Sequence, residues 1–217
     1  MSAGVRPRRL TIVALCTLVV MIAGCGGPTQ QGQSAPQREP EQSEPEQRTP
    51  GADGVTPAFT RLPTSDVAGL DPTRRRIVES ARQEFEAASP GAKYFGDIPE
   101  PWCADFISWV MRDAGIPLKN PNSGSWRIPG TRTLADYYRT QVRFAAPRSG
   151  YQPKAGDVLI YDKNSPFGQH ASIVIAAEPG AVVTVGGNEW NEIRARRIAY
   201  DRVAGLVGFG RPGAVTR

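Results

Sequence analysis

Histidine is almost missing from this chain of 217 residues: there is one, His170, beside three cysteines, Cys16, Cys25 and Cys103. So few nitrogen and sulfur donors, with no carboxylates clustered at ligand spacing, exclude a zinc centre; no metal and no other cofactor is expected. Dense lysine–arginine runs and RNP-like motifs are also missing, which argues against nucleic-acid binding. No internal repeat is present. Gly186-Gly187 closes a strand pattern and lacks the strand-to-helix context that a nucleotide-binding fingerprint requires. The apolar run Leu10 to Ala23 is too short and too abruptly ended to span a bilayer.

That run follows Arg6, Arg8 and Arg9, as in a secretory leader, which directs a chain and contributes nothing to its fold. It closes in Ile22-Ala23-Gly24-Cys25, which resembles the bacterial lipobox. The resemblance implies that residues 1–24 are removed with Cys16, and that Cys25 becomes a lipid-bearing thioether at the mature N-terminus. The expected location is then the outer face of the cell membrane. Without the leader, 23 basic residues stand against 21 acidic ones, a net charge of +2. Residues 25–57 are rich in Gln, Glu, Pro, Ser and Gly, carry a net −3, and cannot bury enough apolar surface to offset the entropy of ordering. They read as a tether. Residues 58–217 carry +5, a balance compatible with an anionic cell envelope, and are enough for one domain, expected as a monomer.

Within that domain, Asp71-Pro72 has the form of an N-cap followed by proline at the first helical position. Ile77, Ala81, Phe85 and Ala88 then recur at helical spacing up to Ser89-Pro90-Gly91. A second helix is predicted from near Pro101 to Gly115, with Cys103, Phe106, Ile107, Val110 and Ala114 on one stripe. A third runs from about Thr131 to Arg139. Beyond Pro153 the period changes, and five short Val- and Ile-rich segments separated by Gly, Pro and Asn read as antiparallel strands: 157–161, 171–177, 182–185, 193–200 and 206–209. Helices followed by a strand meander define an α+β domain.

Cys103 falls in the first turn of the second helix, where unpaired amides and the positive end of the helix dipole favour a thiolate. An imidazole that takes the thiol proton would complete a nucleophile, and the chain has one to offer. If Glu178-Pro179-Gly180-Ala181 is a hairpin turn, opposed residues sum to 358 or 359, and His170 lies across from Asn188 or Glu189. Either side chain can orient the ring, the third role of a catalytic triad. Tyr94, Trp102, Trp126 and Trp190 are candidates to line a groove and stack on a sugar or peptide.

Trp102-Cys103-Ala104 with Phe106 and Trp109, Gly156-Asp157-Val158, His170 with Ser172-Ile173-Val174, Gly187-Asn188 and Val207-Gly208-Phe209 occur in that order over residues 80–212. The set resembles the CHAP family of cysteine, histidine-dependent amidohydrolases and peptidases. The resemblance implies a papain-like fold of the CHAP and NlpC type, with N-terminal helices packed on an antiparallel sheet. It also implies Cys103 as nucleophile, His170 as general base and then acid, and peptidoglycan as substrate, cut at the muramoyl-L-alanine amide or at a stem or cross-bridge peptide bond. Many members carry a glutamate two positions before the asparagine of the Gly-Asn element, where this chain has Gly186. The orienting task therefore falls to Asn188 or, as second choice, Glu189. Two functions of different class remain: a membrane-tethered cysteine hydrolase, and a wall-binding or partner-recruiting lipoprotein that keeps the fold without turnover.

Overall fold

The computed structural model describes residues 51–213; Cys25, the leader and the tether as far as residue 50 lie outside them. Four helices precede and flank one six-stranded sheet. They are α1 (Pro72–Ala87), the single turn α2 (Ala92–Phe95), α3 (Cys103–Asp113) and α4 (Thr131–Thr140). The strands are β1 (Phe144–Ala145), β2 (Val158–Tyr161), β3 (His170–Glu178), β4 (Ala181–Glu189), β5 (Glu192–Ile198) and β6 (Leu206–Gly210). The order across the antiparallel sheet is β1-β6-β2-β3-β4-β5. The α+β class and the helices ahead of an antiparallel sheet are as the sequence predicts; β2 to β5 form the meander, whereas β6 leaves it to pair with β2 and β1.

Local chemistry sets the ends of the elements. The Asp71 carboxylate accepts from the Thr73 and Arg74 amides at 3.0 Å each, and Pro72 opens α1 behind it. Helix α3 starts at Cys103, two residues later than Pro101, because Trp102 has non-helical dihedrals (φ −105°, ψ 17°). Its stripe of Phe106, Ile107, Val110 and Met111 is fully buried against β3 and β4, and α1 covers β3 and β5 alongside it. Each such side chain contributes about 1.5–3 kcal/mol on leaving water. Close approach of α3 needs Gly187: a Cβ there would press on the Trp102 indole and stand 2.7 Å from Cβ of Phe106. The opposite face of the sheet buries a smaller cluster, Leu159, Tyr161, Val174, Val182, Ile198, Val203 and Phe209.

Asp157 joins the helical and strand halves. Its Oδ1 accepts from Nη1 of Arg74 on α1 at 2.8 Å, while Oδ2 accepts from the Tyr151 hydroxyl at 2.6 Å and the Lys154 amide at 2.8 Å. The carboxylate is fully buried, so the motif residue Gly156-Asp157 acts in the frame of the molecule.

The folded body begins before residue 58. The Thr56 amide donates to the Arg197 carbonyl at 3.1 Å, the Phe59 amide to the Ala195 carbonyl at 2.9 Å, and the Ala199 amide to the Gly54 carbonyl at 2.8 Å. Residues 54–59 thus run along the outer edge of β5, and Val55 and Thr56, placed in the tether by composition, are part of the sheet edge. Main-chain pairing overrides the polar composition of this stretch.

Candidate active site

Cys103 is the first residue of α3 and His170 the first of β3, and the two elements pack together. The Cys103 thiol is 5% exposed, with Sγ 4.0 Å from the carbonyl of Gln169, the residue before the histidine. The imidazole is 3% exposed, with Phe167 at 5.4 Å and Tyr161 at 6.2 Å between ring centroids. Its charged form is opposed by burial, yet contact with Cys103 and with Glu189, and the negative charge of both, outweigh that and lift the His170 pKa to about 9. The ring is thus held between the sulfur and a carboxylate, both of which favour its protonated form.

The carboxylate is that of Glu189, whose Oε1 lies 3.6 Å from Nε2 of His170. This distance makes an ion pair rather than a hydrogen bond, and Nε2 has no hydrogen-bond partner. Asn188, the first choice from the sequence, does not supply that contact. The reason is a bulge. Gly186 pairs with Arg194 and Glu189 with Glu192, so β4 carries one residue more than β5 over this stretch. Asn188 takes the left-handed conformation (φ 62°) that accommodates the extra residue, and Glu189 is thereby turned to the face of Gly186. A two-residue turn follows, in which Trp190 and Asn191 also have positive φ, 52° and 64°. Burial resists ionisation of Glu189, but His170 and Arg196 more than compensate and hold its carboxyl below the usual range.

The register that brings these residues together agrees with the hairpin arithmetic. Pairs next to the turn sum to 359, as in Glu178 with Ala181, and a bulge at Ile175 changes the sum to 358, as in Ile173 with Val185.

The aromatic candidates separate. Trp190 is 67% exposed at the rim beside Glu189. Tyr94 and Trp102, by contrast, are buried and stacked on each other at 5.1 Å, so neither presents a face to a ligand; the Trp102 indole instead donates to Oδ1 of Asn191 at 3.2 Å. The sequence predicts both as groove residues; packing of α2 on α3 takes them into the core instead. Trp126 lies under the Arg112 guanidinium at 4.5 Å, beside the last turn of α3 and away from the cysteine end. Sequence reasoning overlooked Arg196. It is 8% exposed and donates from Nε to Oε2 of Glu189 at 2.6 Å. Alternation along its strand gives no signal for it, because the neighbouring Ala195 is buried as well. Among the described residues no group of His, Cys, Asp and Glu could hold a metal ion.

A thiol at a helix start, an imidazole and a carboxylate in line define a cysteine–histidine–glutamate constellation on an α+β domain. Residues 94–188 match the family model of the CHAP domain, a span that contains Cys103, His170 and Asn188 and stops one residue before Glu189. Among solved structures, "The crystal structure of Ly7917" is similar at 14% identity with a TM-score of 0.44, covering 64% of this chain and 62% of that one. "The crystal structure of Ly7917 with the hydrolyzing product of MDP" is similar at 16% identity and a TM-score of 0.38, with the same coverage. The chain thus spans less than two thirds of the length of either. No curated protein matches the sequence.

Proposed function

We propose that the protein is a peptidoglycan hydrolase of the cysteine type, anchored to the outer face of the membrane through Cys25. The observation that carries this reading is the line Cys103, His170, Glu189, with the CHAP-domain match around it. His170 accepts the thiol proton, and the Cys103 thiolate attacks the carbonyl of a muramoyl-L-alanine or stem-peptide amide, forming a C–S bond. The oxyanion is met by first-turn amides of α3, which a helix leaves without internal acceptors. The imidazolium then gives its proton to the leaving nitrogen as the C–N bond breaks, leaving a thioester. Water deprotonated by His170 hydrolyses it, releasing a carboxylate and restoring the thiol. Glu189 orients the ring and stabilises its charge, and Trp190, exposed next to Glu189 in the chain, offers a face to a sugar or peptide.

A glycine at position 186 speaks for a binding module without turnover; Glu189, with Oε1 3.6 Å from Nε2 of His170, offers a carboxylate in its stead and supports the hydrolase reading. The test is release of peptide or amino-sugar fragments from purified sacculi by the full chain, with Cys103→Ala as control. Soluble fragments from wild type alone support the proposal. Equal, negligible release by both across several wall types rejects it, and mass spectrometry of the new chain ends identifies the scissile bond. Anchoring is tested by membrane fractionation of a Cys25→Ser variant, which should leave the membrane.

A further inference from the structure

Behind the Cys103, His170, Glu189 line stands a fourth group, and it links the site to the segment on the β5 edge. Glu189 is buried and its two oxygens face different partners: Oε1 faces His170 at 3.6 Å, and Oε2 accepts from Nε of Arg196 at 2.6 Å. The Arg196 guanidinium is held from its other side, where Nη1 donates to the Thr56 carbonyl at 2.9 Å. Thr56 is fixed in turn by its amide on the Arg197 carbonyl and by its hydroxyl, which accepts from the Arg197 amide at 3.0 Å. The faces of Trp190 and Phe167 lie 5.4 and 5.9 Å from the guanidinium carbon, and Phe167 is the ring packed on His170.

A guanidinium in such a cradle has one direction in which to present Nε. A buried carboxylate with only a 3.6 Å ion pair to hold it would be free to turn or to take up a proton. We infer that Arg196 is the positioning residue of the site: latched to the Thr56 carbonyl, it fixes the Glu189 carboxylate against His170. The inference rests on the reading of His170 as the proton carrier. It also means that the segment emerging from the tether completes the site, since the acceptor that holds Arg196 belongs to residue 56.

The charged and titratable groups facing the imidazole are Cys103 from α3, Glu189 from β4 and the Tyr161 phenol from β2, with Arg196 from β5 behind the glutamate. Two outcomes of removing Arg196 are therefore opposite in sign. If Arg196 merely adds positive charge near the ring, its loss raises the His170 pKa. If it holds the carboxylate in place, its loss lets Glu189 leave, and burial lowers that pKa toward or below the free value of about 6.5.

His170 is the only histidine in the chain, so its ring is read without ambiguity by NMR titration of the full chain labelled at histidine. Wild type, Glu189→Gln, Arg196→Gln and Arg196→Lys are compared, with sacculus release measured over the same pH range. The expected result is a midpoint lowered by about one unit or more in Arg196→Gln, as in Glu189→Gln. Arg196→Lys, which cannot reach both acceptors at once, should fall between. The basic limb of kcat/KM should move with the midpoint while KM stays put. An unmoved or raised midpoint in folded Arg196→Gln overturns the inference. If that variant does not fold, a wild-type midpoint in Arg196→Lys does so instead. Failure of sacculus release in wild type, with the titration as expected, would sink the hydrolase reading and leave the positioning intact.

Discussion

Glu189 fills space that Gly186 leaves open. A Cβ built on residue 186 would stand 2.7 Å from Nε2 of His170 and 3.3 Å from Oε1 of Glu189. The glycine is thus the condition for the carboxylate to arrive from three residues further along. Gly186→Ala should force imidazole and carboxylate apart and lower activity on sacculi by about 100-fold, the cost of misplacing a reacting group by about 1 Å. Retained activity in a folded Gly186→Ala protein would show that the carboxylate does not need this place.

The pH dependence follows from His170. Its folded pKa of about 9 lies above the unfolded value near 6.5, so its stabilising contribution is complete below about 6.5 and lost as pH rises through about 9. Chemical denaturation across pH 6–10 should show a decline on the order of 3 kcal/mol, much reduced in Glu189→Gln. Activity should fall over the same window, because the leaving nitrogen takes its proton from the imidazolium.

Asp157 accepts three hydrogen bonds in full burial, and replacing it with Ala leaves the Arg74 guanidinium, Tyr151 hydroxyl and Lys154 amide without their partner. Loss of one member of a buried ion pair costs about 3–5 kcal/mol, measurable as a lowered denaturation midpoint. His170 in any remaining folded Asp157→Ala protein should titrate as in wild type, since the carboxylate supports the frame and not the site.

Trp190 combines exposure with a positive φ that disfavours a bulky residue, a strained arrangement suited to a contact surface. Trp190→Gly should relieve the turn and leave the thermal midpoint unchanged or raised, while increasing KM for soluble wall fragments by roughly tenfold, the worth of about 1–1.5 kcal/mol of stacking. An unchanged KM would remove Trp190 from the binding surface.

Much of the fold was legible because its signals are local. Asp71-Pro72 caps α1, Gly115 and Pro117 end α3 within two residues, and the Pro179-Gly180 turn sets the register that carries Ile173 to Val185. Features that depend on distant neighbours were not legible. A two-residue strand such as Phe144–Ala145 has no period to detect. The bulge before Glu189 is a backbone event at Asn188, and it reverses which of two adjacent polar residues meets the ring. Arg196 reads as surface because nothing in its own strand announces an acceptor 140 positions earlier. Tyr94 and Trp102 read as groove residues because exposure is decided by what packs over them, here each other.

The run of chain beside β5 has one further effect. Without it, that strand would display a row of bare amides and carbonyls at the open side of the sheet, ready to recruit an extended segment from another molecule. With residues 54–59 laid along it, the stretch from Ala195 to Ala199 is covered by the protein's own backbone. That part of the border is closed to a strand from a second molecule.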